Sequence, residues 1–413
     1  MPEFDLILFG ATGFTGRLTA HYLAGAAPKG LRWAISGRNA AKLGAVAEQI
    51  AAAHDGLQVP RVVADSADPA SLEALAGRTG VVATTVGPYL KYGLPLVEAC
   101  AAAGVDYCDL TGEVPFIRQS IDACGDAASA SGARIVHCCG YDSIPSDLGV
   151  WMVQQEMIRR GGPATSVVTY VGPSRGGASG GTIHSGLAAM SLAGEDKAVR
   201  KMMVDPYSLD PADSPRGPKD YDPRSARYEP SIEQWTAPFF MGPINTRVVR
   251  RSHALLGHPW GADFSYQELM AVGGGLKGRF RANVVTAGMG AAVVAGGTPT
   301  LRKMVTPMLP APGEGPSEEA RENGFFRHML VAEGDQGRVL GRVIGHKDPG
   351  YAGTAIMLGE AALCLALDRE RCPNRAGVLT PATAMGDALI ERLRAAGMTW
   401  AVEDWPTEGV PRP

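Results

Sequence analysis

The chain has 413 residues, 45% hydrophobic and 20% charged, with a formal net charge of −3 and a pI near 6.3. That is the composition of a globular protein long enough for two domains of on the order of 150 to 200 residues. Its slight acidity gives no overall attraction to nucleic acid or to an anionic membrane. The first element is an apolar run of strand length, Phe4 to Phe9, followed by Gly10-Ala11-Thr12-Gly13-Phe14-Thr15-Gly16 and then by helical spacing from Arg17 to Leu23. Glycine at every third position of a strand-to-helix turn clears side chains from the free N–H groups and the positive end of the helix dipole. A dinucleotide pyrophosphate fits there.

The second strand, Leu31 to Arg38, ends on Ser36-Gly37-Arg38, with no acid at the position that holds a ribose 2′-hydroxyl in NAD sites. A guanidinium beside small residues suits a 2′-phosphate, so NADP(H) is the expected cofactor and Arg38 its specificity residue. Strands and helices keep alternating: Val59 to Asp65, Ser71 to Ala76, then Gly80 to Tyr89. Asp65 ends the third strand at the adenine edge, and Val86, Gly87, Pro88 and Tyr89 follow the fourth, where backbone passes under the ribose and nicotinamide. A helix from Gly93 to Ala103 leads to Asp106–Leu110 and Thr111-Gly112-Glu113, and Ala133–Cys139 ends at Gly140-Tyr141-Asp142-Ser143. Strand ends on one edge of such a sheet predict an active cleft there.

Beyond Trp151 the rhythm changes, with a longer alternating segment at Ala164–Val171 and a glycine-rich piece from Arg175 to Ser185 whose His184 is a candidate pocket residue. Asp205–Pro230 and Thr306–Asn323 read as surface loops, the first as a candidate lid. Between Arg281 and Arg302 there is no charge, and small residues dominate. That segment predicts a helix packed in the core or lining a channel for an apolar substrate, with lipid contact as an alternative to a membrane span. Gly353–Leu367 and Pro381–Ala396 read as helices. Seven cysteines without a Cys-x-x-Cys pair fit structural thiols in a reducing compartment, and no metal site is expected. With no signal segment ahead of the glycine turn, the expected location is cytoplasmic, with peripheral membrane contact as an option.

FGATGFTGR, Ser-Gly-Arg, VGPY, YCDLTGE and GYDSIPSDLG together resemble the saccharopine dehydrogenase-like oxidoreductases, and within them the trans-acting enoyl reductases of polyketide-derived lipid synthesis. The resemblance implies an α/β fold: a Rossmann-type doubly wound parallel sheet with a second α+β domain inserted before a C-terminal helical segment. Residues 1–150 form the NADP-binding domain, completed by 351–413, and 151–350 form a substrate or dimerisation domain. It also implies hydride delivery from NADPH to an unsaturated acyl thioester, carried in trans on a synthase. Such chemistry needs a group that polarises the thioester carbonyl and a proton for the α carbon. Tyr141 is the leading candidate, with packing between domains as its other reading; Lys91 and Tyr92 are alternatives. Asp142 or Ser143 is expected to cap the following helix. Two other functions stay open. An opine-type imine reductase would use cations such as Arg175, Arg247, Arg250, Arg251, Lys277, Arg279 and Arg281 for substrate carboxylates. A non-catalytic NADP-binding, lipid-associated protein would lack a proton donor. A homodimer is a further expectation.

Overall fold

A computed structural model describes residues 2–176, 180–305 and 315–413, the side chains of 180–185 and 305 excepted; His184 therefore lies outside the described side chains. The first strand, β1 (Phe4–Phe9), is buried on both faces, with Leu6 and Leu8 in one apolar core and Ile7 and Phe9 in another. A central parallel strand requires this, because alternate side chains point to opposite, helix-covered faces. There follow α1 (Phe14–Ala26), β2 (Trp33–Gly37), α2 (Ala40–Ala53), β3 (Arg61–Val63), α3 (Pro69–Ala76), β4 (Thr79–Thr84), α4 (Tyr89–Tyr92), α5 (Leu94–Ala103), β5 (Asp106–Asp109), α6 (Val114–Ser131) and β6 (Arg134–Val136). The strands are parallel, in the order β6-β5-β4-β1-β2-β3. The order reverses between β1 and β4, so the loops after these two strands form the crevice in which doubly wound sheets bind ligands.

Next come α7 (Ile144–Arg159), β7 (Ser166–Val171), α8 (Gly180–Glu195), α9 (Lys197–Val204), β8 (Arg227–Glu229), β9 (Gln234–Pro238), α10 (Gly242–Leu255), β10 (Ser265–Ala271), α11 (Gly275–Gly297), α12 (Pro299–Val305), α13 (Glu318–Glu322), β11 (Phe326–Gly334) and β12 (Gly337–Gly345). The chain closes with α14 (Ala352–Leu367), β13 (Gly377–Leu379), α15 (Pro381–Ala384), α16 (Gly386–Ala395) and β14 (Thr399–Asp404). A second, mixed sheet runs β14-β12-β11-β7-β10-β9-β8, with β7 and β10 parallel and the other pairs antiparallel. β13 adds to β6 as a seventh parallel strand of the first sheet, and α14 packs on α1, β4 and β5.

Four expectations change. The segment 351–413 divides between the sheets, because Gly397 at φ +89° turns the chain away and Trp400 is buried in the second sheet through β14. The helix read at Pro381–Ala396 breaks at Gly386, whose φ of +50° no helix accommodates. The loop 205–226 is no free lid: Arg247 donates to the Met203 carbonyl just before it and to Asp222 within it, Arg250 donates to Asp220, and Arg251 to the Leu209 carbonyl. And α11, expected in the core, lies mostly on the surface.

Candidate active site

The turn between β1 and α1 is built around two glycines that tolerate no side chain. Gly10 sits at φ +92°, and a Cβ there would lie 2.7 Å from Thr85 Oγ1 and 2.8 Å from Val86 Cγ2. A Cβ on Gly16 would come within 2.1 Å of the Gly10 carbonyl oxygen, so only glycine lets α1 approach the turn this closely. Gly13 is the extended residue preceding the helix and is exposed. No side chain caps α1 and its first turn holds no acid, which leaves its leading N–H groups and dipole for an anion. Thr12 and Thr15 flank this tip, half-buried. The Phe14 ring meets Tyr351 edge-on at 4.8 Å, with the Arg321 guanidinium 5.3 Å from its centroid, so chain from beyond the second sheet borders the same tip.

At the end of β2, the Ser36 carbonyl accepts from Gly10 N (2.9 Å) and Ala11 N (3.1 Å), which ties the two loops together. The Ser36 side chain is buried and its hydroxyl has no hydrogen-bond partner. A Cβ on Gly37 would lie 3.7 Å from the Thr12 side chain, so Thr12 closes on this strand end. Arg38 follows, exposed. An orphan hydroxyl, a threonine and an exposed guanidinium around one strand end fit the 2′-phosphate of NADP(H). We expect Arg38→Ala to weaken NADPH binding by roughly 10- to 100-fold and NADH binding much less. Titration of intrinsic fluorescence with both coenzymes checks this, and equal losses for the two would remove Arg38 from the phosphate.

Asp65 turns one carboxylate oxygen to the Ala67 N–H at 3.0 Å, shaping its own loop. Val86 is half-buried, and Gly87 and Pro88 are exposed in the crevice. Tyr89 instead points into the core, its hydroxyl donating to the Thr84 carbonyl and accepting from Leu110 N, both at 3.2 Å. Glu113 accepts from Tyr89 N and Leu90 N at 3.1 and 2.7 Å, which anchors α4. Lys91 is exposed, its ammonium 4.9 Å from the half-buried Tyr92 ring.

Beyond β6 two distant parts of the chain, β11 and α14, converge on Tyr141. Its backbone N–H donates to Thr354 Oγ1 of α14 at 3.1 Å, its ring meets Phe326 edge-on at 4.9 Å, and its hydroxyl lies 3.1 Å from His328 Nε2 of β11. Burial pushes His328 down to about 3, so the imidazole is neutral. Its Nδ1 is buried without a partner. With the ring proton on Nε2 the imidazole donates to the phenol oxygen and the Tyr141 O–H can turn to a ligand; with it on Nδ1 the phenol donates to the imidazole. Burial and the nearby Glu268 and Asp142 charges hold that phenol above its usual pKa, and it stays protonated.

Asp142 and Ser143 do not cap α7. Ser143 stands at the cap position but its hydroxyl donates to Asn245 Oδ1 at 2.8 Å. Asn245 donates in turn to Glu268 at 2.8 Å, and Tyr266 donates to the other Glu268 oxygen at 2.5 Å. This buried chain joins the catalytic edge to β10. Asp142 is half-buried, its carboxylate directed toward Gly112, where a Cβ would lie 3.6 Å from Oδ2. Burial, with the Asp109 charge adding to it, raises Asp142 to about 7. His328, Asp142, Asn245 and Glu268 were not among the sequence candidates for catalysis. An acid on the buried face of a strand, as at Glu268 between Tyr266 and Leu269, was the one available signal.

Arg247, Arg250 and Arg251 are buried in α10, spent on Asp222, Asp220 and backbone carbonyls. They line no carboxylate clamp, because each is committed to holding the 205–222 loop or the Val378 carbonyl. Lys277, Arg279 and Arg281 are exposed along α11. Among the described residues, no His, Cys, Asp and Glu cluster can hold a metal ion, and the seven cysteines are free and buried.

Four buried carboxyls, Asp142, Asp147, Asp210 and Glu268, are raised to about 7, in each case chiefly by burial. Unfolded carboxyls titrate near about 4. Between about pH 4 and pH 7 these four carboxyls hold more protons folded than unfolded, while His253 and His328, lowered by burial to about 4 and about 3, hold fewer; the four outweigh the two, so stability falls as pH rises through that window. Tm measured by calorimetry should be lower at about pH 8 than at about pH 5.5, and a steady rise would contradict these burials.

Residues 6–136 match the saccharopine dehydrogenase NADP binding domain family. A Mycobacterium tuberculosis relative is 46% identical over 409 residues, covering 96% of this chain and 97% of that one. The trans-acting enoyl reductase of Mycobacterium ulcerans is 40% identical over 407 residues, with the same 96% and 97% coverage. The chain belongs to the trans-acting enoyl reductase family. Its fold is that of the apo saccharopine dehydrogenase (L-Glu forming) of Saccharomyces cerevisiae, with a TM-score of 0.55 at 12% identity over 96% of this chain and 99% of that one. The family's parallel sheet is the NADP-binding element, and the orphan Ser36 hydroxyl and bare helix tip described above fit that coenzyme. The chain is an NADP-dependent oxidoreductase of this family.

Proposed function

We propose that this member of the family is an NADPH-dependent enoyl reductase acting in trans, reducing the C=C bond of an α,β-unsaturated acyl or polyketide thioester carried by a separate synthase. The observation that carries the reading is Tyr141, a buried, protonated phenol at the carboxyl edge of the parallel sheet, paired with His328 Nε2 at 3.1 Å and able to donate to a ligand when the imidazole proton sits on Nε2. Relatives named for enoyl reduction supply the reaction type. Bound NADPH supplies the hydride for the β carbon. The α1 tip with Gly10, Thr12, Gly13, Phe14, Thr15 and Gly16 would hold the pyrophosphate, Ser36, Gly37 and Arg38 the 2′-phosphate, and Asp65 the adenine edge. The backbone of Val86–Tyr89 would line the ribose and nicotinamide.

In this reading Tyr141 donates a hydrogen bond to the thioester carbonyl oxygen, where negative charge grows as the enolate forms. Asp142, raised to about 7, holds a proton at neutral pH that can pass to the α carbon. Lys91 and Tyr92, paired with each other on α4, are second candidates for the proton. Residues 1–150 with the returning C-terminal segment then serve as the nucleotide unit, and 151–350 as the substrate unit. The reaction's compartment would be the cytoplasm. Of two further partners, a second copy of the chain and a lipid surface, the exposed face of α11 favours the lipid surface.

The imine reductase reading lacks its cation clamp in α10, since Arg247 and Arg250 are buried in ion pairs and Arg251 is buried against the Leu209 and Val378 carbonyls. A non-catalytic NADP-binding protein would need no phenol donor. The test is NADPH consumption by the purified protein with an enoyl-pantetheine thioester. Turnover on the thioester, with none on an α-keto acid plus an amino acid, is expected. The reverse pattern would replace this proposal with imine reduction, and no turnover on either would favour the non-catalytic protein.

A further inference from the structure

α11 inverts the pattern of a surface helix. Of its 23 residues only Gly278, Ala282 and Gly296 are buried. Leu276, Phe280, Val284, Val293 and Val294 stand out with 84%, 71%, 53%, 57% and 60% of their surface exposed, and Leu301 and Met304 of α12 follow at 40% and 67%. A helix lying on a globular core turns its large apolar side chains inward. Here the small residues make the contact, with Gly296 against Leu187 and Met190 of α8, and the large ones face out. Leu276, Phe280 and Val284 are four apart and share one face. Contiguous exposure of this kind marks an interaction surface rather than scattered surface residues.

Charge identifies the partner. Residues 269–313 contain Lys277, Arg279, Arg281, Arg302 and Lys303 and not one Asp or Glu. The cations bracket the uncharged stretch, and the Arg279 guanidinium folds back to within 5.6 Å of the Trp235 ring centroid. A closed dimer through this face would set the patch against itself, bringing Lys277, Arg281 and Lys303 of both copies together with no acid in the segment to answer them. A layer of anionic headgroups answers them, while the acyl region below takes the apolar stripe. The overall charge of −3 does not oppose this, because screening confines attraction to about 8 Å at physiological salt.

We propose that α11 and α12 form a docking surface for an anionic membrane leaflet. The helices lie along the bilayer surface and do not cross it, since no described helix is long and apolar enough to span one. This inference is independent of the reduction chemistry. The test is co-sedimentation of the full-length protein with phosphatidylglycerol–phosphatidylcholine vesicles and with phosphatidylcholine alone. Anionic vesicles should take up the protein at least about tenfold more strongly, and added salt should weaken uptake. A Leu276→Ser/Phe280→Ser/Val284→Ser variant should lose at least about tenfold in uptake, with Tm and NADPH affinity unchanged. Lys277→Ala/Arg281→Ala should lose the preference for anionic lipid. Four outcomes overturn the proposal. The protein could remain in the supernatant with both vesicles. The serine variant could bind like wild type. Or light scattering could show a dimer that the serine variant breaks, or capture of an acidic carrier domain through the same residues without vesicle uptake, making the partner a second copy or that domain.

Discussion

Tyr141→Phe is expected to lower kcat on an enoyl thioester by roughly 10²- to 10⁴-fold while leaving NADPH affinity within about twofold of wild type. The substitution removes one oxygen. Phe keeps the edge-on contact with Phe326 and the position of the backbone N–H that donates to Thr354, so the cleft should keep its shape. What is lost is the O–H that would meet the enolate oxygen. His328 Nε2 also loses its hydrogen-bond partner, at a cost of about 1 to 3 kcal/mol in stability, so a lower Tm accompanies the lost rate. The split between rate and coenzyme affinity separates a donor from a boundary tyrosine. A tyrosine that only packs between domains would give the lower Tm with turnover near wild type, and the donor role would pass to Asp142. Asp142→Asn should then flatten the fall of kcat/KM above about pH 7, where the wild-type carboxyl loses its proton.

The second large effect is expected from one methyl group. Gly16→Ala should reduce affinity for NADPH and NADH alike by on the order of 100-fold or more, measured by calorimetric titration. The new Cβ falls 2.1 Å from the Gly10 carbonyl oxygen, and the atom it meets is backbone with no rotamer to yield. Either α1 lifts from the sheet or the Gly10 turn opens, and both displace the N–H groups that would face the pyrophosphate. The outcome differs from that of Arg38→Ala, which should discriminate between the coenzymes. A Gly16→Ala protein that binds NADPH normally would mean that the pyrophosphate does not use this turn. Ala at Gly125, where nothing lies within 4 Å of a Cβ, serves as the control.

Legibility followed how local each constraint is. The glycine turn, the Ser36-Gly37-Arg38 strand end and the Val86–Pro88 loop could be read directly because strand, turn and helix there are adjacent in the chain. Tyr141 was legible as a position at a strand end. Its hydrogen-bond partner was not, since His328 lies 187 residues away on a different sheet. The cations of α10 stayed open as a carboxylate clamp because sequence shows charge and conceals commitment: Arg247 and Asp222 look like independent helix and loop residues until packing buries one against the other. The uncharged 282–301 segment was misjudged for a similar reason, as an apolar helix reads the same whether its large residues face a core or open solvent.

By itself the sequence determined the alternating fold of the first sheet, the NADP(H) preference and the family, because backbone clearance, strand periodicity and one cation in place of an acid act within a few residues. The tertiary structure alone decided which side chains have chemistry to spare. Protonation states and donors depend on what is packed against each group: Tyr141 meets β11 and α14, Asp142 meets Asp109 and Gly112, and Arg247 and Arg250 meet the chain from Met203 to Asp222.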